Sequence, residues 1–500
     1  MVAIGVALHI PMFLMGRYTH YRLAGMPMGT PMLIGMFLIV LGIGGAAWGL
    51  LPVRQSSTID FGTIVPPEDS PLTKYHWLQL GLIGIALVID VMKAASLGFV
   101  VPGMRVEYGL KGPQVAVLPT VALMGTTVGS FVWGALADIY GRRASILLAS
   151  VMFVGTSICG CMPSFGWNIF MCFVMGLAAG GMLPVANALL AEILPTKHRG
   201  WSLVLLGGIG TVGGYYATSE LSALLQPYFG WRIMWLLGFP TGLMLIGLSP
   251  LLPESARFLL EKGRFEEARE TLARYGAVIT SDRRGPAGRA VRNEPAKKQP
   301  RSRLGLGIAL TLAALSWGFV NFGVLLWLPG SLVAEGRSVS GASALIAKSA
   351  LIAIPTVVVS TWLYSLWSTR RVLILSIGIT ALGLFATLLR NSVPFLSDPL
   401  ISVSLLVVGT GAVISILMPY AAENFPVKNR GRATGWVAGC SKVGGVIAQT
   451  FAVFALVPAF RIAAGAIAIP TAISLLLIWI FGRETRGSDL RELEMAVGQR

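Results

Sequence analysis

Residues 192–200 read EILPTKHRG and residues 423–431 read ENFPVKNRG, so Glu192, Pro195, Arg199 and Gly200 recur as Glu423, Pro426, Arg430 and Gly431 at identical spacing, 231 positions later. A second landmark keeps nearly the same offset. Pro253-Glu254-Ser255-Ala256-Arg257 is answered by Arg483-Glu484-Thr485-Arg486-Gly487, with the two glutamates 230 positions apart. Each copy of both landmarks follows a long apolar stretch, so the chain reads as a duplicated unit.

A helix needs about 20 apolar residues to cross the hydrocarbon core of a bilayer. Twelve such stretches follow residue 76: 77–103, 115–139, 144–163, 166–190, 200–224 and 229–252, then 304–329, 341–366, 371–390, 397–420, 431–456 and 460–482. The first landmark follows the fourth and tenth of these, and the second follows the sixth and twelfth. Two six-helix bundles are therefore expected, of the kind that enclose a site near the bilayer midplane. Close helix packing is expected where Gly176 and Gly180, and Gly207, Gly210 and Gly214, recur at small-residue spacing.

Composition agrees. Of 500 residues, 55% are apolar and 12% charged, too few charges to cover a water-facing surface. A soluble enzyme, a disordered chain and a secreted disulfide scaffold are excluded. The four cysteines lie inside apolar stretches and read as small buried hydrophobes. The net charge of +17 reads as loops held beside anionic lipid, not as a nucleic-acid surface. One set of connections, with the tail, carries 26 Lys and Arg; the alternate set carries 6, namely Arg105, Lys111, Arg232, Arg337, Arg390 and Arg461. By the positive-inside rule the core begins and ends in the cytoplasm. The expected setting is the plasma (inner) membrane, with a monomeric chain.

The organisation expected is an all-α integral membrane protein with one or two extra N-terminal hydrophobic segments. Residues 1–76 form an extension in which 30–51 crosses once, 2–16 favours the interface, and 52–76 is a linker. Residues 77–252 and 304–482 are the bundles, 253–303 a basic central loop and 483–500 a tail. Within the loop, 254–275 has a helical stripe of Phe258, Leu259, Phe265, Ala268 and Leu272, and 283–303 holds eight basic residues against Glu294.

The segment Gly134-Ala-Leu136-Ala-Asp138-Ile-Tyr-Gly141-Arg142-Arg143, together with the paired loop landmarks, resembles the major facilitator superfamily over residues 77–487, and its sugar-porter and metabolite:proton-symporter branches in particular. Ile139 departs from that pattern, and the second-half copy of the loop signature keeps only Arg370 and Arg371. The resemblance implies a twelve-helix fold, secondary active transport by alternating access, and a cytoplasmic latch that locks the halves while the site faces outward. Gly134, Asp138, Gly141, Arg142, Arg143, Glu192, Arg199, Glu423 and Arg430 would build the latch. Glycines at 134 and 141 suit a tight turn and close helix approach.

Charges inside spans are costly and therefore informative. Asp90 and Lys93 lie three apart in the middle of the first span, on one helical face, and Lys442 is central in the eleventh. A neutral sugar needs no unpaired cation, whereas an organic anion does. Lys442, helped by Lys93, is the expected carboxylate partner, and Asp90 the group that couples transport to protons. Asn321 and Gln449 are added because buried amides need partners; Asn187, Tyr215, Tyr216, Trp317 and Trp327 are weaker candidates. Glu220 and Lys348 are expected to pair as an outer gate. The expected function is proton-coupled symport of a small organic solute, with a sugar symporter, an efflux antiporter or a non-transporting sensor as alternatives. The partners are the solute, protons and the lipid bilayer; no nucleic acid, cofactor, metal or enzymatic activity is expected.

Overall fold

The computed structural model describes residues 1–50, 64–65, 72–275, 278–279, 303–425 and 427–485. Every long element is a helix. The extension supplies α1 (Val2–Ala7), α2 (Ile10–Met15) and α3 (Thr30–Leu50). The first bundle contains α4 (Lys74–Glu107), α5 (Gly112–Tyr140), α6 (Arg142–Thr156), α7 (Phe165–Ala179) and α8 (Met182–Ile193) forming one interrupted span, α9 (Thr196–Phe229), and α10 (Ile233–Leu236) with α11 (Gly238–Leu248). Short amphipathic helices α12 (Ala256–Glu261) and α13 (Phe265–Arg274) follow. The second bundle contains α14 (Arg303–Phe319), joined to α15 (Leu325–Ala334) by a π turn at Val320–Val324, then α16 (Val339–Leu366), α17 (Thr369–Leu389), α18 (Pro399–Asn424), α19 (Val427–Val453) and α20 (Phe460–Phe481). Among the described residues the departure from helix is an antiparallel pairing of Ile64–Val65 with Val278–Ile279, which ties the linker to the central loop.

Among the described residues, twelve helical stretches are long and apolar enough to cross a membrane, and they include Val2–Thr19 and Thr30–Leu50. Ten belong to the bundles; α9 and α19, equally long, are diluted by Gly, Ser and Thr. That dilution has a structural reason, because these two helices form the seam between the halves. α9 runs along α16 and α18, and α19 runs along α5. Small residues permit the contact there: a Cβ added at Gly207 would stand 3.1 Å from the Ser415 Cα across the seam. Within the first bundle, a Cβ at Gly214 would stand 2.6 Å from that of Val91 and one at Gly176 would stand 2.0 Å from the Ala122 carbonyl oxygen, so helices meet where the glycine spacing places them.

Residues 2–19 do not lie across α3. Residues 2–9 run antiparallel along it, Gly5 against Gly35 and Val2 against Gly42, and the pair packs on Val154, Ile158 and Met162 of the first bundle. In the loop helices Phe258, Leu259, Ala268 and Leu272 are buried as the stripe requires, whereas Phe265 is 43% exposed. The residues 51–63, 66–71, 280–302 and 486–500 of the expected linker, basic tract and tail lie outside the described set.

Candidate substrate and proton site

Charge placement decides this site. Lys93 follows Asp90 by less than one turn, yet the two diverge. The Lys93 Nζ donates to the Phe153 carbonyl at 2.6 Å and to Thr156 Oγ1 at 2.8 Å, and lies 4.7 Å from the Phe153 ring centroid. Those partners belong to the last turn of α6, where the helix gives way to a 3-10 turn at Ser157–Cys161 and carbonyls lack partners within the helix. Lys93 is thus spent inside the first bundle. It does not line the central cavity, contrary to the shared-face expectation.

Asp90 does line that cavity. The cavity has a volume of about 720 Å³ and is walled by both halves: Asp90 from α4, Tyr215 from α9, Trp317 and Asn321 from the seventh span, Ser415 from α18 and Lys442 from α19. Asp90 lies sixteen residues beyond Lys74 and Lys442 fifteen beyond Val427, which at the helical rise places them about 24 and 23 Å from the ends that carry the basic loops. They confront one another at one depth, from opposite bundles. Asp90 Oδ1 is buried without a hydrogen-bond partner among the described residues. Lys442 Nζ stands 5.0 Å from the Phe322 ring centroid, a cation–π contact.

The seventh span shapes the far wall. Its π turn carries Asn321, whose Oδ1 and carbonyl oxygen accept from the Tyr215 hydroxyl at 3.3 and 3.4 Å. The Phe322 carbonyl accepts from Gln449 Nε2, and Gln449 Oε1 accepts from Trp327 Nε1 at 3.2 Å. Gln449 is fully buried away from the cavity. Its amide is consumed in holding the π turn, so the structure separates it from Asn321 and Lys442. Trp317 donates to the Thr410 carbonyl at 2.9 Å and meets Phe322 edge to face at 5.5 Å. Asn187 also lines the cavity, with a buried Oδ1 that has no partner among the described residues.

From the Asp90–Lys442 level the cavity continues to Glu192, Ala422 and Thr434 at the basic end. The opposite end is shut. There Gly98 packs on the Leu326 carbonyl, and the Ser222 and Ser343 hydroxyls join α9 to α16 at 2.8 Å. The expected Glu220–Lys348 pair is not formed: no ion pair within 4.0 Å links them among the described residues, and Lys348 is exposed while Glu220 is half-buried. The seam at this level accepts small side chains, and the serines occupy it.

At the basic end, Arg142 Nη2 contacts Glu192 Oε1 at 3.0 Å, and Arg199 Nη2 donates to the Leu194 carbonyl at 3.3 Å. Glu423 accepts from Thr485 Oγ1 at 2.6 Å and faces Gly200 across the seam. Arg143 enters through its backbone N–H, which donates to Glu254 at 3.4 Å. A Cβ at Gly134 would meet nothing within 4 Å, so this glycine lines the cavity instead of a helix contact. Gly141 does make the turn, with φ +106. The side chains of Asp138 and Arg430 lie outside the described set.

The second landmark acquires a role that its spacing alone concealed. Glu254 Oε1 accepts from the backbone N–H of Arg142 at 2.8 Å, at the N-terminus of α6. Its counterpart Glu484 accepts from the Thr369 N–H at 3.0 Å and from the Ser368 hydroxyl, at the N-terminus of α17. Each glutamate after a bundle's sixth helix caps that bundle's third, where backbone donors and the helix dipole favour an anion. Burial pushes the Glu254 carboxyl above the usual glutamate range, against the opposing pull of these N–H donors and Arg142.

Another cluster escaped sequence reasoning. Glu107 at the end of α4 forms a buried ion pair with Arg232 at 2.6 Å, accepts from Trp231 Nε1 at 2.7 Å, and accepts from the N–H groups of Leu23 and Ala24 at 2.7 and 2.9 Å. The available signal was two opposite charges at the ends of the first and sixth spans, where charges are few.

Comparison with known proteins places this geometry. The chain is 25% identical over 447 residues to the niacin transporter NiaP of Acinetobacter baylyi, covering 85% of this chain and 98% of that one. It is 26% identical over 412 residues to the 4-hydroxybenzoate transporter PcaK of the same organism, covering 78% and 87%. The fold is similar to that of the proton:xylose symporter XylE bound to 6-bromo-6-deoxy-D-glucose, with a TM-score of 0.66, 18% identity and coverage of 84% and 99%. The family model described as Major Facilitator Superfamily matches residues 83–393 and 332–497, and with its two six-helix halves around a shared cavity this chain belongs to that superfamily of membrane transporters.

Proposed function

We propose that the protein imports a small aromatic carboxylate by proton symport. The observation that carries this reading is Lys442: an ammonium facing a largely apolar cavity, set over an aromatic ring, with no carboxylate within 4.0 Å among the described residues. A cation so placed suits a ligand that brings both negative charge and a flat apolar body. Trp317, Phe322 and Tyr215 supply ring contacts, and the Asn321 amide suits a ring hydroxyl or ring nitrogen. Asp90 is the proton acceptor. Similarity to transporters named for niacin, 4-hydroxybenzoate and gallate supports the same substrate class.

With the basic end read as cytoplasmic by the positive-inside rule, the cavity is inward-facing and the C-terminus lies inside. The working unit is a monomer. Purified protein in proteoliposomes tests the whole: an inward proton gradient should drive accumulation of labelled 4-hydroxybenzoate, and 4-hydroxybenzamide should not compete. Equal competition by the uncharged amide, or by xylose, would refute the carboxylate reading.

A further inference from the structure

Two charges inside the spans have no place in the cavity. Glu220 and Lys348 each lie nine residues from the closed-end termini of their helices, Phe229 of α9 and Val339 of α16, about 14 Å inward at the helical rise. Neither has an ion-pair partner within 4.0 Å among the described residues. We propose that together they bind the headgroup of one phosphatidylethanolamine molecule of the surrounding bilayer, its phosphate on Lys348 and its ammonium on Glu220, and that this lipid holds the two halves together at the closed end.

Helix geometry puts both charges on the lipid side. α9 and α16 run antiparallel, with Gly208 beside Val357 and Ser222 beside Ser343. At 3.6 residues per turn, Glu220 stands about 160° around α9 from Ser222, and Lys348 about 140° around α16 from Ser343, so each is turned away from the seam. The residues by which α9 lines the cavity, Gly207, Thr211 and Tyr215 among them, lie on the opposite side of that helix from Glu220, and α16 contributes none. The exposed neighbours are Ile209 and Leu224 around Glu220, and Leu351, Ile352 and Val359 around Lys348, apolar side chains suited to acyl chains. The same register sets Lys348 opposite Ala217, three residues and about 4.5 Å in depth from the level of Glu220.

A charge facing acyl chains is costly unless something neutralises it. Two charges of opposite sign, one from each half, on one face and within a turn of depth, suit a ligand that carries both signs a short link apart. Phosphatidylethanolamine does: its phosphate is an anion for the Lys348 ammonium, and its primary ammonium donates N–H bonds to the Glu220 carboxylate. Phosphatidylcholine bears the same charges but has no N–H to donate. Phosphatidylglycerol leaves Glu220 beside an anion and without a cation. Because Glu220 belongs to the first half and Lys348 to the second, the headgroup spans the seam on the stretch that Ser222 and Ser343 close. It therefore stabilises the closed end and must let go when α9 and α16 part. This lipid contact does not depend on which solute is carried.

Native mass spectrometry of the detergent-purified chain tests the binding, with dioleoyl phosphatidylethanolamine, phosphatidylcholine and phosphatidylglycerol offered at equal concentration. Phosphatidylethanolamine should be retained at least about tenfold over the other two, the effect of one charge-assisted contact. Glu220→Gln should abolish that preference while phospholipid stays bound through its phosphate, and Lys348→Gln should weaken retention of all three. Neither variant should lower the melting temperature, since neither side chain has an ion-pair partner among the described residues. Ser222→Cys with Ser343→Cys reports on the closed end: its oxidative crosslink should form in higher yield in vesicles containing phosphatidylethanolamine than in pure phosphatidylcholine, and the difference should vanish when Glu220→Gln is added. Equal retention of the three lipids, a preference that persists in Glu220→Gln, or crosslinking indifferent to the headgroup overturns the proposal; so does a two-chain species that forms through this face in place of bound lipid.

Discussion

Lys93 and Lys442 bear the same charge at similar depth and do different work, because what surrounds an ammonium decides whether it is structural or available. Lys93 finds a carbonyl and a hydroxyl at a helix end; Lys442 finds an aromatic face and open volume. Lys442→Gln should therefore raise the Kd for a carboxylate by at least about tenfold, the loss of one charge-assisted contact of 1.5–3 kcal/mol, with little change in melting temperature; titration calorimetry reads the first and thermal unfolding the second. Lys93→Met should do the reverse, lowering the melting temperature through the carbonyls left bare. Gln449→Leu belongs with Lys93: its amide supports the π turn, so it should cost about 1–3 kcal/mol of stability.

Helix ends carry the duplicated landmarks. Glu254 and Glu484 repeat because the third helix of each half begins at a sharp turn and exposes N–H donors that a carboxylate satisfies. Gly141→Ala should be destabilising by about 1–3 kcal/mol, since φ +106 is strained for any other residue and the new Cβ would stand 2.5 Å from Glu254 Oε2. Burial favours the neutral form of Glu254. Its contribution is complete below the ordinary glutamate range and is lost as pH rises through the raised value. The melting-temperature difference between wild type and Glu254→Gln should therefore move against the wild type from acid toward neutral pH, measured by thermal unfolding across that range. A flat difference would show that the donors cancel burial, and a difference moving in favour of the wild type that they outweigh it.

The whole molecule closes at one end and opens at the other, and its parts report that state. Ser222 and Ser343 meet at the closed end, close enough that Ser222→Cys with Ser343→Cys should form a disulfide under oxidation; transport should stop and return with reductant, whereas full activity in the crosslinked protein would mean that this end of the seam never parts. Arg232→Met should cost about 3–5 kcal/mol by stranding the buried Glu107, and should also loosen the N-terminal hairpin, whose loop donates to the same carboxylate; limited proteolysis within residues 1–28 would show it.

Hydrophobic run length, loop charge and the repeated landmarks are local properties, so the sequence alone determined the twelve core helices, their division into halves and the few charges worth attention, Asp90 and Lys442 among them. Helical periodicity also put Lys93 beside Asp90, but it did not show that Lys93 takes its partners from α6. Periodicity gives a side chain's direction on its own helix but not which neighbouring helix end will offer it a partner. The assignment of Lys93 to α6, the use of Gln449 on the π turn, the serine closure in place of Glu220–Lys348 and the Glu107–Arg232 cluster all depend on groups tens or hundreds of residues apart meeting in low-dielectric surroundings, where a buried charge or amide takes the partner that packing brings to it.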